Sequence, residues 1–161
     1  MDELDAKWLR RSFELAAEAL LGGDYSYGAL LVDSTGGLLM EARQTRVTTG
    51  DCTGHAEMNV VREASRRWAR DFLADCTLYS STEPCPMCAG AFAWSGVGRL
   101  VFGVSQERYY REFPDASPPR FIKPLSCRAL LENVQPPVVV VGPLLEEEAL
   151  LPHRRWWDLQ Q

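Results

Sequence analysis

Two short clusters in this 161-residue chain carry residue types that do chemistry. The first is His55-Ala56-Glu57 and the second is Pro84-Cys85-Pro86-Met87-Cys88. Either alone is weak: His-x-Glu arises by chance, and one C-x-x-C serves equally a redox pair or half of a structural zinc site. Together they are strong. Both fall where a helix N-terminus is expected, and the positive end of a helix lowers a thiol's pKa and favours a metal-binding thiolate. One histidine and two cysteines make three protein ligands. Zinc prefers four, so one position stays open to water, the arrangement of a catalytic site rather than a closed structural one. Zinc in turn lowers the pKa of such a water toward neutrality. Glu57 stands two residues after His55, about 200° round a helix from it, and therefore reads as a proton carrier beside the metal-bound water rather than a further ligand.

The elements that position these clusters follow from periodicity. Leu4, Trp8, Leu15, Ala16, Ala19 and Leu20 recur at helical spacing until Gly22-Gly23. Residues 28–32 and 38–42 are apolar runs joined by Asp33-Ser34-Thr35-Gly36-Gly37, a hairpin signature. Residues 43–54 read as irregular. A helix is expected from near Thr53 to about Arg70, with Val60, Val61, Ala64 and Trp68 as its buried stripe. A strand over 76–81, a helix opened by Pro86 and running to Ser95, and a strand over 99–104 imply a right-handed parallel crossover. Residues 112–120, with Pro114, Pro118 and Pro119, read as a loop. A short helix over 125–133, a strand over 138–141 and a last helix over 144–158, interrupted by Pro152, complete an α/β chain. A mixed sheet with helices on both faces is the natural architecture, and one domain is the default at this length.

H-x-E followed by P-C-x-x-C resembles the signature of the cytidine-deaminase-like zinc deaminases. The likeness extends over Asp51 to Asn59 and over Leu78 to Ala91, where it is similar to the branch holding guanine deaminases, fungal cytosine deaminases and bacterial tRNA adenosine deaminases. It covers roughly residues 4–104, and the last third resembles a bacterial group of nucleoside deaminases. The resemblance implies a three-layer α/β/α sandwich with a mixed five-stranded sheet, and a homodimer. It implies one zinc held by His55, Cys85 and Cys88, with Glu57 shuttling protons from water to a ring nitrogen and to departing ammonia. Where the family usually presents an Asn at the end of the second strand, this chain presents Gln44, whose amide reaches one methylene further.

The substrate side is sparser. Ala56 is counted with Gln44 among the substrate contacts. Trp94 reads first as core and second as a contact. Phe113, Phe121, Trp156 and Trp157 read equally as an aromatic wall for a planar ring or as packing of the final helix, and Trp156 and Trp157, about 100° apart, leave one of them to face the ring. Residues 105–161 are thus expected to cover the substrate. Cys52, Cys76 and Cys127 read as small apolar residues, and His153 as a surface residue of the tail.

Composition narrows the partners. A net charge of −5 weighs against a polynucleotide partner, and Arg62, Arg66, Arg67 and Arg70 read as a solvated helix face balanced by Glu63 and Asp71. No run of about 18 apolar residues spans a membrane. The acidic, amphipathic N-terminus is unlike a signal peptide, and five cysteines suit a reducing compartment, so a cytoplasmic location is expected. The reading is hydrolytic deamination of a free base, nucleoside or related heterocycle, of guanine or cytosine type, with tRNA adenosine deamination as alternative. From another class, a catalytically silent zinc-stabilised scaffold remains, although a scaffold has no need of Glu57.

Overall fold

A computed structural model describes residues 2–114 and 125–160. Helix α1 (Glu3–Leu21) starts where the Asp2 carboxylate accepts from Leu4 N, and it ends at Gly22. Strands β1 (Gly28–Val32) and β2 (Leu38–Arg43) form the expected hairpin, its turn held by Asp33 Oδ1 accepting from the amides of Thr35 and Gly37. A four-residue helix α2 (Arg46–Thr49) lies within the stretch expected to be irregular.

The next helix is shorter than periodicity suggests. Helix α3 spans Ala56–Arg67, because Asp51 folds residues 51–54 into a turn of their own, accepting from Thr53 N through its side chain and from Gly54 N through its carbonyl. At the other end Trp68 is extended, and a separate α4 (Arg70–Ala74) follows. Then come β3 (Thr77–Thr82), α5 (Pro86–Ser95) and β4 (Arg99–Val104). Helix α6 (Gln106–Glu112) precedes the expected loop, of which residues 115–124 lie outside the described residues. Helix α7 (Cys127–Leu131), β5 (Val139–Val141) and α8 (Glu146–Asp158) close the chain. Pro152 does not interrupt α8. It removes one intrahelical bond, but it sits in the buried face of the helix beside Ala149, Leu150 and His153, and its carbonyl accepts from Ser26 Oγ at 3.1 Å.

The sheet order is β2-β1-β3-β4-β5, with β1 antiparallel to both neighbours and β3, β4 and β5 parallel. Every residue of β1 is buried, so its side chains feed two cores in alternation. Ala29 and Leu31 meet Val60 and Ala64 of α3, Phe92 of α5 and Leu131 of α7 on one face. Leu30 and Val32 meet Leu9 and Phe13 of α1 and Leu150 of α8 on the other. The result is the three-layer sandwich with a mixed five-stranded sheet. Gly28 lets α1 lie against the start of β1: a Cβ there would collide with the backbone of Ser12 and Ala16.

Candidate metal centre and active site

His55 and Cys85 occupy equivalent places, each the N-cap of its helix with extended backbone, His55 before α3 and Cys85 before α5. Pro86 opens α5 because its fixed φ suits the first helical position, where an N–H would have no partner. Cys88, one turn in, points its sulfur to the same spot. Cys85 Sγ and Cys88 Sγ are 3.6 Å apart, and His55 Nδ1 lies 3.7 and 3.5 Å from them. Around a tetrahedral zinc with Zn–S of about 2.3 Å and Zn–N of about 2.0–2.1 Å, neighbouring ligand atoms stand ~3.5–3.8 Å apart. The three donor atoms have that spacing, so the residues fit zinc. Among the described residues this is the one group of three metal-ligand side chains so gathered. Cys52 is exposed and not part of it.

The electrostatics favour a thiolate. The Cys85 thiol is drawn down to about 4, chiefly by the hydrogen bond from Cys88, against burial and with help from His55. Cys88 moves well up, because it donates that bond and is buried. His55 is lowered by burial, but Cys85 and the negative charge of Glu57 outweigh this and leave it raised.

Glu57 sits in the first turn of α3 and is 5 % exposed. Its Oε2 is 3.7 Å from Cys88 Sγ, and its Oε1 is 3.2 Å from Ser80 Oγ. With His55 at the cap rather than inside the helix, the angular separation read from the sequence still places Glu57 beside the ligands and outside the set of three. Burial raises its carboxyl, with His55 opposing. Ser80 was missed by sequence reasoning; a polar residue in an otherwise buried strand was its signal.

Gln44 follows β2 directly and is 4 % exposed. Its backbone N donates to Tyr27 O, and the next residue, Thr45, donates its N–H to Gly54 O at 2.8 Å. The end of β2 is thereby pinned one residue from His55. Gly54 permits this approach, since a Cβ would come within 2.8 Å of Thr45 Oγ1. The Gln44 amide makes no hydrogen bond among the described residues. Ala56, the first residue of α3, is fully buried and its side chain belongs to the core between α3, α5 and the sheet.

The aromatic residues of α6 and α8 are brought together. Phe113 stacks on Trp157 with centroids 5.7 Å apart, Trp157 meets Trp156 edge-on at 4.8 Å, and Trp156 reaches Tyr25 at 5.3 Å. Inward of these, Tyr109 joins Phe113 to His153, which also contacts Tyr27. Tyr27 lies close enough to Glu57 for that charge to help raise its phenol, after burial and Tyr109. Phe121 lies outside the described residues. Trp94 is not in this group and not in the core: its indole on α5 is 85 % exposed. His153 also departs from expectation. It is no surface residue but 2 % exposed, with Nε2 3.1 Å from Thr82 Oγ1. Tyr27, Tyr109 and His153 come from three distant segments, and no local pattern marks them.

The cytidine and deoxycytidylate deaminase zinc-binding region matches residues 2–104, nearly two thirds of the chain. The chain belongs to this deaminase family. It is 38% identical over 160 residues to a probable cytosine deaminase of Schizosaccharomyces pombe, covering 98% of this chain and 95% of that protein. It is 39% identical over 103 residues to the tRNA-specific adenosine deaminase of Haemophilus influenzae, covering 64% and 60%. A structure of guanine deaminase from Nitrosomonas europaea superposes with a TM-score of 0.76 at 22% identity, over 92% of this deaminase and 82% of that chain, which establishes the shared fold. The protein is a zinc-dependent hydrolytic deaminase.

Proposed function

We propose that this deaminase removes the exocyclic amine of a free nucleobase, nucleoside or related heterocycle, of cytosine or guanine type. The observations that support this most are the 4 % exposed Gln44, whose side-chain amide has no hydrogen-bond partner among the described residues and whose backbone donates to Tyr27 O, and the continuous aromatic group built around α6 and α8. An amide both donates and accepts, so it suits the mixed edge of a heterocycle, and aromatic faces suit its plane. The 95% coverage of the fission yeast relative, against 60% of the tRNA-specific one, points the same way. In this reading residues 105–161 belong with the rest of the chain as one domain and cover the substrate, with Phe113 and one of Trp156 and Trp157 over the ring and Ala56 and Gln44 at its edge.

His55, Cys85 and Cys88 hold the zinc. When bound, zinc supplies a Lewis acid that brings the pKa of water toward neutrality. Glu57 does the proton work. Its Oε2, beside Cys88, takes a proton from the attacking water and delivers it to the ring nitrogen; a second transfer assists the departing ammonia. Ser80 Oγ lies 3.2 Å from Oε1, while the nearer acceptor for its single proton is Thr82 O at 2.7 Å. Burial at 5 % exposure keeps bulk water from competing for the proton.

Water and a small heterocycle are thus the reactants, with polynucleotide disfavoured. The arginines of α3 share their charge with neighbours: Arg67 pairs with Glu63 at 2.6 Å, Arg66 lies exposed 3.8 Å from the same carboxylate, and Arg62 donates to Asn59 and Thr53. We also infer a homodimer. Trp94 and Phe72 expose their rings on neighbouring segments joined by Arg70, which donates to Trp94 O, and a second copy would cover them. A reducing cytoplasm suits five free cysteines. Ammonia release measured over cytosine, guanine, their nucleosides, triazines and tRNA tests the substrate reading. Turnover of a free base or nucleoside is expected, with weak, salt-sensitive tRNA binding; site-specific inosine in tRNA with no small-molecule turnover would overturn it.

A further inference from the structure

Glu83 is a buried carboxylate that the chemistry above does not use. It immediately follows β3 and is separated from the ligand Cys85 only by Pro84. Its two oxygens serve two different helices. Oε2 accepts from Gln106 N, the first residue of α6, at 3.0 Å, and Oε1 accepts from Cys127 N, the first residue of α7, at 2.9 Å. Two further bonds fasten the same short segment: Glu83 N donates to Val104 O at 2.8 Å, and Gln106 Nε2 donates to Pro84 O at 2.9 Å. A buried carboxylate is expensive unless its lone pairs are filled, and charge-assisted bonds to backbone N–H groups are about twice as strong as neutral ones. These bonds therefore set a distance rather than merely decorate a turn.

We propose that Glu83 is a positioning residue for substrate binding: it ties the turn carrying Cys85 to the start of α6, which leads into the aromatic group, and to the start of α7, which packs on α5. Helix α6 carries Tyr109 and ends at Phe113, which stacks on Trp157. Helix α7 packs against α5, whose first turn holds Cys88. One side chain thus fixes the spacing between the metal cysteines and the aromatic group. The proposal rests on the reading that this group contacts substrate.

The test removes the two arms separately. In Glu83→Gln one acceptor oxygen becomes an N–H donor, so one backbone N–H loses its partner. Cys127→Pro removes the α7 donor and leaves the carboxylate intact. Proline suits the first helical position, and Ser126 already has the extended ψ of 135° that a residue before proline needs. Cys127→Ala, which keeps the N–H, controls for the lost sulfur, and Phe113→Ala reports on the aromatic reading. The readouts are zinc content, exchange of the Gln106 amide proton, and kcat and KM on cytosine or guanine, whichever is turned over.

The expected result is unchanged zinc, a KM raised about tenfold in Glu83→Gln and Cys127→Pro but not in Cys127→Ala, and kcat within about threefold. Exchange at Gln106 is expected to quicken about tenfold or more in Glu83→Gln. If Phe113→Ala raises KM and the two arm variants do not, the coupling is refuted while the aromatic reading stands. If the arm variants raise KM and Phe113→Ala does not, the coupling stands and the aromatic contact fails. Lower melting temperatures with unchanged KM and exchange would make Glu83 merely structural. Should Glu83→Gln fail to fold, the contrast between Cys127→Pro and Cys127→Ala decides alone.

Discussion

The chain has two histidines, and they stand in opposite environments. His55 caps α3 between two thiols and beside a carboxylate, and its pKa is raised. His153, on α8, is sealed among Tyr27 and Tyr109, and burial pushes it down to about 3. The same contrast divides the molecule. On the metal side, four functional residues come from two short motifs at two helix starts. On the side where the proposed function places the substrate, Gln44, Phe113, Trp156 and Trp157 come from three segments up to 113 positions apart in sequence, and Tyr27 and His153 from two more positions along it. In the proposed reading, reaction chemistry is held locally, while substrate shape is held by tertiary packing. Lesions on the first side should abolish the reaction, and lesions on the second should redirect or weaken it.

The sharpest test of that division is to break the metal side in two distinguishable ways. Cys85→Ala is expected to lose most of its zinc by elemental analysis and all measurable turnover, since two ligands hold the metal poorly. Glu57→Gln is expected to keep about one zinc per chain and the fold, yet to lose more than the roughly 10²–10⁴-fold typical of one acid–base step, because Glu57 serves several transfers. Near wild-type rates in Glu57→Gln would end its assignment.

On the substrate side, a chain ending before Pro152 is expected to keep its zinc and to raise KM or stop turning over. It loses His153, Trp156 and Trp157 while retaining the buried Ala149 and Leu150 contacts of α8. Zinc loss on this truncation would show the two sides to be one cooperative unit.

His153 sharpens the comparison through pH. Its folded pKa of about 3 lies below the ordinary value of 6.5, so between these limits the unfolded chain binds a proton that the folded chain does not. Stability is therefore full above about pH 6.5 and falls with decreasing pH, at a limiting slope of ~1.4 kcal/mol per pH unit. His153→Gln is expected to flatten thermal melting between pH 6.5 and 4.5 relative to wild type. An unchanged slope would mean that other groups carry the acid sensitivity. The smallest effect is expected from Gln44→Asn: a shifted ranking of substrates, by about tenfold between the best two, with little change in melting temperature, because reach is lost and hydrogen-bonding type is kept. A substrate profile untouched by both Gln44→Asn and Gln44→Ala would remove Gln44 from recognition.

Much of the framework was legible from periodicity and turn chemistry. Helix α1, the hairpin, α5 and β4 lie within a residue or two of their expected bounds, because each has its own stop signal in Gly22, Asp33 to Gly37, Pro86 or Gly96. Helix α3 was read too long because Asp51 builds a turn where polarity alone suggests a helix start. The His55, Cys85 and Cys88 group was equally legible, since ligand type and helix-start position are properties of short segments. The aromatic group was not. Trp94, Trp156 and Trp157 are the same residue type on helices, yet one is exposed and two are packed, and His153 is buried where its place in the tail suggested surface. Side-chain type states what a residue can contact, and helical spacing states which way it points on its own element. Which element lies opposite depends on how α6 and α8 settle against the sheet. Sequence alone therefore determined the kind of reaction and named His55, Cys85 and Cys88, the three side chains the fold gathers with spacing that fits zinc. The tertiary structure alone decided that Ser80 lies against Glu57, that Glu83 joins α6 to α7, and that a histidine and two tyrosines stand behind the tryptophans, because those contacts are made between segments that no local pattern relates.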